Sequence, residues 1–131
     1  MRITPDAPAR EPDLHIILEE HIGILQPSLT AGAADVVIEI VSKESQHRDL
    51  VEKYEEYETG GVREYWLINP LRRQVDFFVR AKDGLYTRRD PQNGIFTSSV
   101  LARFHLETRL FWGTPPSGRE IVALVDAMLK E

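Results

Sequence analysis

Apolar runs separated by polar turns predict several strands along this chain. Residues 14–18 and 34–41 are rich in branched apolar side chains, which is typical of β-strands. The second run is almost continuous Val and Ile, a pattern that favours a central strand buried on both faces. Between the two runs, residues 19–25 predict a helical turn and residues 26–33 a loop.

A helical pattern follows the second apolar run. From residue 47 to residue 59, large apolar and aromatic side chains recur at intervals of three or four, with charged residues between them. Ser42 or Ser45 could cap the start of this helix. The pair Gly60-Gly61 predicts its end, because glycine adopts the left-handed conformation without strain. The large side chains on this face are Leu50, Val51, Tyr54 and Tyr57.

The rest of the chain predicts further strands and a closing helix. Residues 62–68 and 74–80 read as two strands joined by a turn at 69–73, which indicates a hairpin. Ser117 and Glu120 have capping-box spacing and predict the start of a helix. These elements favour an α/β or α+β fold with one mixed β-sheet flanked by helices, in a single domain over residues 1–131. Short strands near 85–88 and 96–99 and an irregular start at 1–11 complete the prediction.

Composition narrows the functional class. The chain has 131 residues, a net charge of -5 and no cysteine, which excludes disulfides and thiolate metal sites. The acidic balance argues against a protein that coats nucleic acid through bulk charge. No apolar run reaches the roughly 20 residues of a membrane span. The start lacks the apolar core of a secretion signal, so we expect a cytoplasmic location and no membrane partner.

An acidic residue inside an apolar strand is the strongest chemical signal. Glu39 interrupts the second Val/Ile run, and a buried carboxylate is costly unless it is paired, protonated or bound to metal. Asp35 lies four residues away on the same strand, about 13 Å distant, which is too far to share an ion. If the two apolar runs pair, however, Asp13 and Glu39 can meet at one end of the sheet. Two carboxylates with water and a backbone carbonyl form a reasonable Mg²⁺ site.

Other roles for these residues stay open at this point. Glu39 could form a structural ion pair with Lys53 or with an arginine. Lys53 could instead be a surface lysine paired with Asp49, four residues earlier on the helix. Asp13 could simply start a strand, and Asp35 is more typical of a turn or cap.

Four stretches carry a resemblance to a known family. The sequence resembles the Uma-type restriction endonucleases, which belong to the PD-(D/E)XK nuclease superfamily. The similarity extends from about Arg10 to Trp112, and the long block ending in EYWLINP is its most specific part. The matching stretches are PDL at 12–14, ADVVIEIVS at 34–42, RDLVEKYEEYETGGVREYWLINP at 48–70 and QVDFFV at 74–79.

This resemblance implies a fold, a cofactor and site residues. It implies a restriction-endonuclease-like sheet flanked by helices, and hydrolysis of DNA phosphodiester bonds with Mg²⁺, or Mn²⁺ in its place. Asp13 and Glu39 match the two metal carboxylates. Val41 stands where the superfamily commonly has lysine, and Lys53 matches the helix lysine that serves instead. Asn69 stands where the family usually has aspartate.

The start of the chain leads to two further expectations. Only 12 residues precede Asp13, whereas the family normally has a helix and a strand pair there, so we expect an N-terminally truncated domain. The uncovered sheet edge would favour a homo-oligomer, most simply a dimer. The sequence therefore predicts a Mg²⁺-dependent DNA endonuclease, or alternatively a catalytically degenerate nuclease fold acting in protein interaction or self-association.

Overall fold

The chain forms two compact units. The structure is a computed structural model that describes all 131 residues, Met1 to Glu131. One unit comprises Met1–Arg89 and the other Asp90–Glu131. The prediction of one restriction-endonuclease-like domain over 1–131 therefore stays a prediction. Neither unit contains a helix that combines the length and the hydropathy needed to cross a bilayer.

The first unit is built on a five-stranded mixed sheet in the order β1-β2-β3-β4-β5. Strands β2 and β3 run parallel, and all other neighbours run antiparallel. The expectation of a mixed sheet flanked by helices is confirmed. The strands are β1 (Leu14–Ile16), β2 (Val36–Ile40), β3 (Glu64–Asn69), β4 (Gln74–Arg80) and β5 (Tyr86–Arg88).

Helix α1 (His47–Gly60) connects the parallel strands β2 and β3. It ends where the sequence predicts, because Gly61 follows with a φ of 91°, a left-handed conformation in which its amide donates to Glu58 and Tyr57 carbonyls. The predicted serine cap is wrong. Gln46 occupies the capping position without a side-chain hydrogen bond, and Ser45 Oγ instead accepts from the amide of Ser42.

The core of the first unit lies between α1 and one face of the sheet. Aromatic side chains from α1, β3, β4 and β5 meet there in edge-on, tilted and stacked pairs, with ring centroids 5.0–6.5 Å apart. Smaller apolar residues of β2 and of the turn after α1 fill the space beside them. The core therefore fixes α1 against the sheet. Its largest members are Tyr54, Tyr57, Tyr65, Phe78 and Tyr86, with Val37 and Val62 buried among them.

The N-terminal segment packs on α1 although it forms neither helix nor strand over residues 1–11. Arg10 donates two hydrogen bonds to the Glu56 carboxylate, at 2.7 and 2.6 Å. The amino group of Met1 donates to the carbonyl of Arg10 at 2.6 Å. A cavity of about 360 Å³ lies between this segment and the last turns of α1.

The second unit corrects the expectation of one sheet. Strands β6 (Ile95–Thr97) and β7 (His105–Glu107) form a separate antiparallel pair. Strand β7 was not predicted, because three residues are too few to show an alternating pattern. Helix α2 (Gly118–Leu129) begins as predicted, with the complete capping box between Ser117 and Glu120.

Candidate functional site

Glu39 is buried on the face of the sheet that α1 covers. Its residue is only 5% exposed. The Tyr57 hydroxyl donates a hydrogen bond to Glu39 Oε1 at 2.7 Å, and Lys53 Nζ lies 3.4 Å from Glu39 Oε2. Each carboxylate oxygen therefore has its own partner from α1, and the buried charge is compensated within the chain.

Local geometry explains why these three residues meet. Side chains alternate across a strand, so Val37 and Glu39 share the face of β2 that packs on α1. The helix runs back along the strand before the chain enters parallel β3. Lys53 and Tyr57 are four residues apart and therefore lie on one face of the helix. Together these periodicities place both side chains above Glu39.

Asp13 lies just before β1 and beside the same end of β2. The ladder pairs Leu14 with Ile38, so continuing it by one residue places Asp13 opposite Glu39. Residues opposite one another in an antiparallel pair have Cβ atoms about 5 Å apart. The Asp13 carboxylate also accepts a hydrogen bond from the amide of Ile40, at 2.7 Å to Oδ2. Asp13 is exposed, so its carboxylate is accessible to solvent.

Lys53 bridges two carboxylates. Besides Glu39, its ammonium group lies 3.4 Å from Asp49 Oδ2, one turn earlier on α1. Asp49 in turn lies 3.6 Å from Arg10 of the N-terminal segment. The side chain of Lys53 is 20% exposed, so it is neither a free surface lysine nor fully enclosed. The two pairings considered from sequence, with Glu39 and with Asp49, both occur.

Asp35 is separated from this cluster and is fully engaged in local contacts. It is 3% exposed and accepts from the Leu18 amide and from His21 Nδ1, each at 2.8 Å. Arg63 lies 3.6 Å from its Oδ1. These contacts join the short 3₁₀ helix Glu19–Ile24, which follows β1, to the start of β2. Asp35 thus acts as a structural acid, in agreement with the turn or capping role that its position favours.

Two tyrosines of the site were not singled out from sequence. Burial, followed by the hydrogen bond to Glu39, raises the pKa of Tyr57 far above its ordinary value. Burial, followed by the charges of Glu39 and Asp49, raises the pKa of Tyr65. The Tyr65 hydroxyl is buried without a hydrogen-bond partner. The spacing of four residues between Lys53 and Tyr57 could have identified Tyr57 from the sequence. No comparable signal exists for Tyr65, because its placement depends on strand register.

The sequence also gave no indication that a second carboxylate is buried in the sheet. Glu64 has no exposed surface and accepts a hydrogen bond from Trp66 Nε1 at 3.0 Å. It pairs with Val36 in the parallel ladder and so lies on the face opposite Glu39. Glu64 is therefore outside the candidate site.

The donor atoms at the site suit a hard divalent cation. Asp13 and Glu39 offer carboxylate oxygens, and Mg²⁺ typically binds one or two carboxylates while it keeps several waters. No group of three or more His, Cys, Asp or Glu side chains converges in a geometry that could hold a metal ion. The residues present fit an ion that is completed by water and substrate rather than one enclosed by protein.

A basic turn lies at the same end of the sheet. Strands β2 and β3 are parallel and Ile40 pairs with Ile68, so the turn after β3 projects beyond the Glu39 end. Asn69 Oδ1 accepts from the amide of Arg72 at 3.2 Å and closes this turn. An amide oxygen thus performs the acceptor role that an aspartate could fill there. The exposed side chains of the turn include Arg72 and Arg73.

A comparison with protein families identifies the family of this chain. The chain matches the family described as "Putative restriction endonuclease" (Uma2) over residues 1–109. A search of curated proteins gave no match. A solved structure described as a putative nuclease belonging to DUF820 from Anabaena variabilis aligns at 20% identity and a TM-score of 0.47. The alignment covers 59% of this chain and 42% of that one. With 109 residues matched, this chain belongs to the Uma2 family.

Proposed function

We propose that this protein is a divalent-metal-dependent nuclease that hydrolyses phosphodiester bonds in DNA. The observation that carries the proposal is the meeting of Glu39 with Lys53 beside Asp13, at one end of the parallel strand pair. Membership of the family described as "Putative restriction endonuclease" supports the same reaction class. Restriction-endonuclease-like families generally use divalent metal ions.

Asp13 and Glu39 would hold the ion, which is Mg²⁺ or Mn²⁺ in our proposal. When bound, such an ion supplies charge neutralisation at the phosphate and lowers the pKa of water. Asp13 would provide the exposed oxygen that its contact with Ile40 leaves free, and Glu39 would provide Oε2. Glu39 belongs to β2, and the hydrogen bond from the Ile40 amide ties Asp13 to the end of the same strand, which restricts the separation of the two carboxylates.

Lys53 would stabilise negative charge on the scissile phosphate. Its ammonium group lies 3.4 Å from both Glu39 and Asp49, which orients it without a short bond to either. A preorganised cation acts most strongly where charge develops in the transition state. The lysine on α1 would thus replace the strand lysine that Val41 displaces.

DNA would approach from the end of the sheet that carries the basic turn. Arg72 and Arg73 are exposed there, and arginine is suited to bidentate contact with phosphate. Such contacts would position the duplex without reading its sequence. They also reconcile nucleic-acid binding with a net charge of -5, because the basic residues are placed locally.

Cleavage of plasmid DNA in the presence of Mg²⁺ or Mn²⁺ tests the proposal. We expect nicking by the wild-type protein, none after Glu39→Gln, and ordinary activity after Glu55→Gln. Glu55 is an exposed glutamate on α1 and serves as the matched control. Calorimetric titration with Mn²⁺ should show binding that Glu39→Gln removes. Wild-type protein that neither binds Mn²⁺ nor cleaves DNA would overturn the proposal.

A degenerate nuclease fold that self-associates is the second candidate. It is favoured by the compensation of Glu39 within the chain and by apolar side chains left exposed on α2. Light scattering after size-exclusion chromatography, combined with the Mn²⁺ titration, separates the two functions. A stable dimer without Mn²⁺ affinity supports the module, whereas Mn²⁺ binding that is lost in Asp13→Asn supports the nuclease. The exposed residues of α2 are Ile121, Val122, Val125 and Leu129.

A further inference from the structure

We propose that Tyr57 is a positioning residue that fixes the Glu39 carboxylate so that Oε2 alone is presented to the divalent ion. The inference rests on the proposed function, because it assigns the manner in which that site holds its ion. It concerns a residue that touches neither substrate nor ion and acts only through Glu39.

Tyr57 is held rigidly where it meets Glu39. It has no exposed surface, and its ring packs edge-on against Tyr65 with centroids 5.2 Å apart and planes at 71°. Its backbone lies in the third turn of α1, which the core clamps against the sheet. A phenol in such a position has little freedom to follow a moving carboxylate. The carboxylate must therefore adopt the orientation that the phenol defines.

The hydrogen bond from Tyr57 gives the two carboxylate oxygens of Glu39 different roles. The 2.7 Å bond from Tyr57 occupies Oε1 in the buried interior. Lys53 approaches Oε2 at 3.4 Å, longer than the roughly 2.8 Å of a strong charge-assisted hydrogen bond. Oε2 therefore keeps coordination capacity on the side where Lys53 lies. Coordination through both oxygens would require the Tyr57 bond to break.

Such an arrangement has a measurable consequence for metal affinity. Partners that orient a metal-binding carboxylate commonly contribute 10- to 100-fold in affinity or activity when tested by mutation. Without the Tyr57 hydroxyl, Glu39 could rotate about its last bond and lose its fixed orientation. The conformational entropy of the Glu39 side chain would then be lost when the ion binds, which would lower the affinity for the ion.

The decisive variant is Tyr57→Phe, with Tyr86→Phe as its control. Tyr86 is also buried in the aromatic core, and its hydroxyl donates to the Val62 carbonyl at 2.8 Å without contacting Glu39. Both variants keep the ring and lose one buried hydrogen bond, so both should fold with similar losses of stability. In Mn²⁺ titrations we expect affinity to fall about 10- to 100-fold in Tyr57→Phe and by less than about 3-fold in Tyr86→Phe.

Infrared spectroscopy of protein carrying ¹³C-labelled glutamate supplies a readout that does not depend on activity. The separation of the symmetric and antisymmetric carboxylate bands differs between one-oxygen and two-oxygen coordination. With Mn²⁺ bound, we expect the one-oxygen pattern for Glu39 in the wild type and in Tyr86→Phe, and a changed pattern in Tyr57→Phe. Bands are assigned to Glu39 by their loss in Glu39→Gln.

The outcomes separate this inference from the proposed function. Wild-type affinity and an unchanged infrared pattern in Tyr57→Phe would overturn the positioning role while the metal site itself stands. Equal loss of affinity in both variants would also overturn it, because the effect would then be a general loss of core packing. If the wild-type protein binds no Mn²⁺, the proposed metal site is wrong, and the positioning role of Tyr57 is then wrong as well.

Discussion

Lys53 Nζ lies 3.4 Å from Glu39 Oε2, although the residues are 14 positions apart and belong to different elements. The contact spans the crossover from β2 through α1, so it forms only when the helix packs on the sheet. At this distance the ammonium group lies near Glu39 without a short hydrogen bond to it. A second acid, Asp49, keeps Lys53 in place from the other side.

Replacing Lys53 with methionine should separate transition-state stabilisation from metal binding. The apolar stem is kept, but the cation is lost, and removal of one preorganised charge commonly costs about 10²- to 10³-fold in rate. Mn²⁺ affinity should be equal or higher, because no cation then competes for Glu39. Single-turnover cleavage and Mn²⁺ titration measure the two effects. Lys43→Met, at an exposed position after β2, should change neither; loss of Mn²⁺ affinity in Lys53→Met would contradict this role.

Asp13→Asn should weaken metal binding without unfolding the protein. The amide oxygen of asparagine can still accept from the Ile40 amide, so the end of β2 keeps its hydrogen bond. The loss of one negative ligand should nevertheless lower Mn²⁺ affinity by at least 10-fold. Calorimetric titration and thermal unfolding should be compared with Asp6→Asn, an exposed acid of the N-terminal segment. Equal affinities in the two variants would exclude Asp13 as a ligand.

Asp35→Asn should lower the stability of the protein and leave its metal binding unchanged, the reverse of what we expect for Asp13→Asn. Asp35 is buried and contacts His21 and Arg63, so the substitution removes an ion pair with Arg63 and weakens the hydrogen bond with His21. Because those partners are about half exposed, we expect a loss of only about 2 kcal/mol in the free energy of unfolding. Denaturant titration measures it, with the exposed Asp126→Asn as control. Mn²⁺ affinity of the folded protein should not change; if it does, Asp35 belongs to the functional site.

The double variant Arg72→Ala/Arg73→Ala should weaken DNA binding and reduce its dependence on salt. Each lost phosphate contact lowers the slope of log K against log salt by about 1, so we expect a decrease of up to about 2. Fluorescence anisotropy with a labelled duplex at several salt concentrations measures the slope. The variant Arg2→Ala/Arg119→Ala removes two arginines that lie outside this turn and should leave the slope unchanged. An unaltered slope in the turn variant would exclude the basic turn from DNA contact.

The buried tyrosines predict how stability depends on alkaline pH. Burial is the largest cause that raises the pKa of Tyr57, Tyr65 and Tyr86 above the ordinary value near 10. Above about pH 10 the unfolded chain therefore loses protons that the folded chain retains, so stability is full below this pH and decreases above it. Tyrosinate absorbance should rise together with the loss of circular dichroism, whereas denatured protein should titrate near pH 10. Tyrosinate formation near pH 10 in fully folded protein would contradict this.

Local pattern in the sequence determined most elements of the fold. The helical spacing and the Gly60-Gly61 pair predicted α1, and Ser117 with Glu120 predicted the start of α2. Periods of 2 and 3.6 residues and the conformational freedom of glycine are properties of short segments, so sequence alone reveals them. The same reasoning identified Glu39 as an acid in need of a partner, because charge within a branched apolar run is costly in any fold.

Only the tertiary structure decided what surrounds that acid. The register of β1 on β2 places Asp13 beside Glu39, and the packing of α1 places Tyr57 on Oε1 while it leaves Lys53 near Oε2. The tertiary structure also determines that β6 pairs with β7 and not with the five-stranded sheet. Strand register and helix docking join residues distant in sequence, and a one-residue shift would turn every side chain to the other face. No local pattern contains that information.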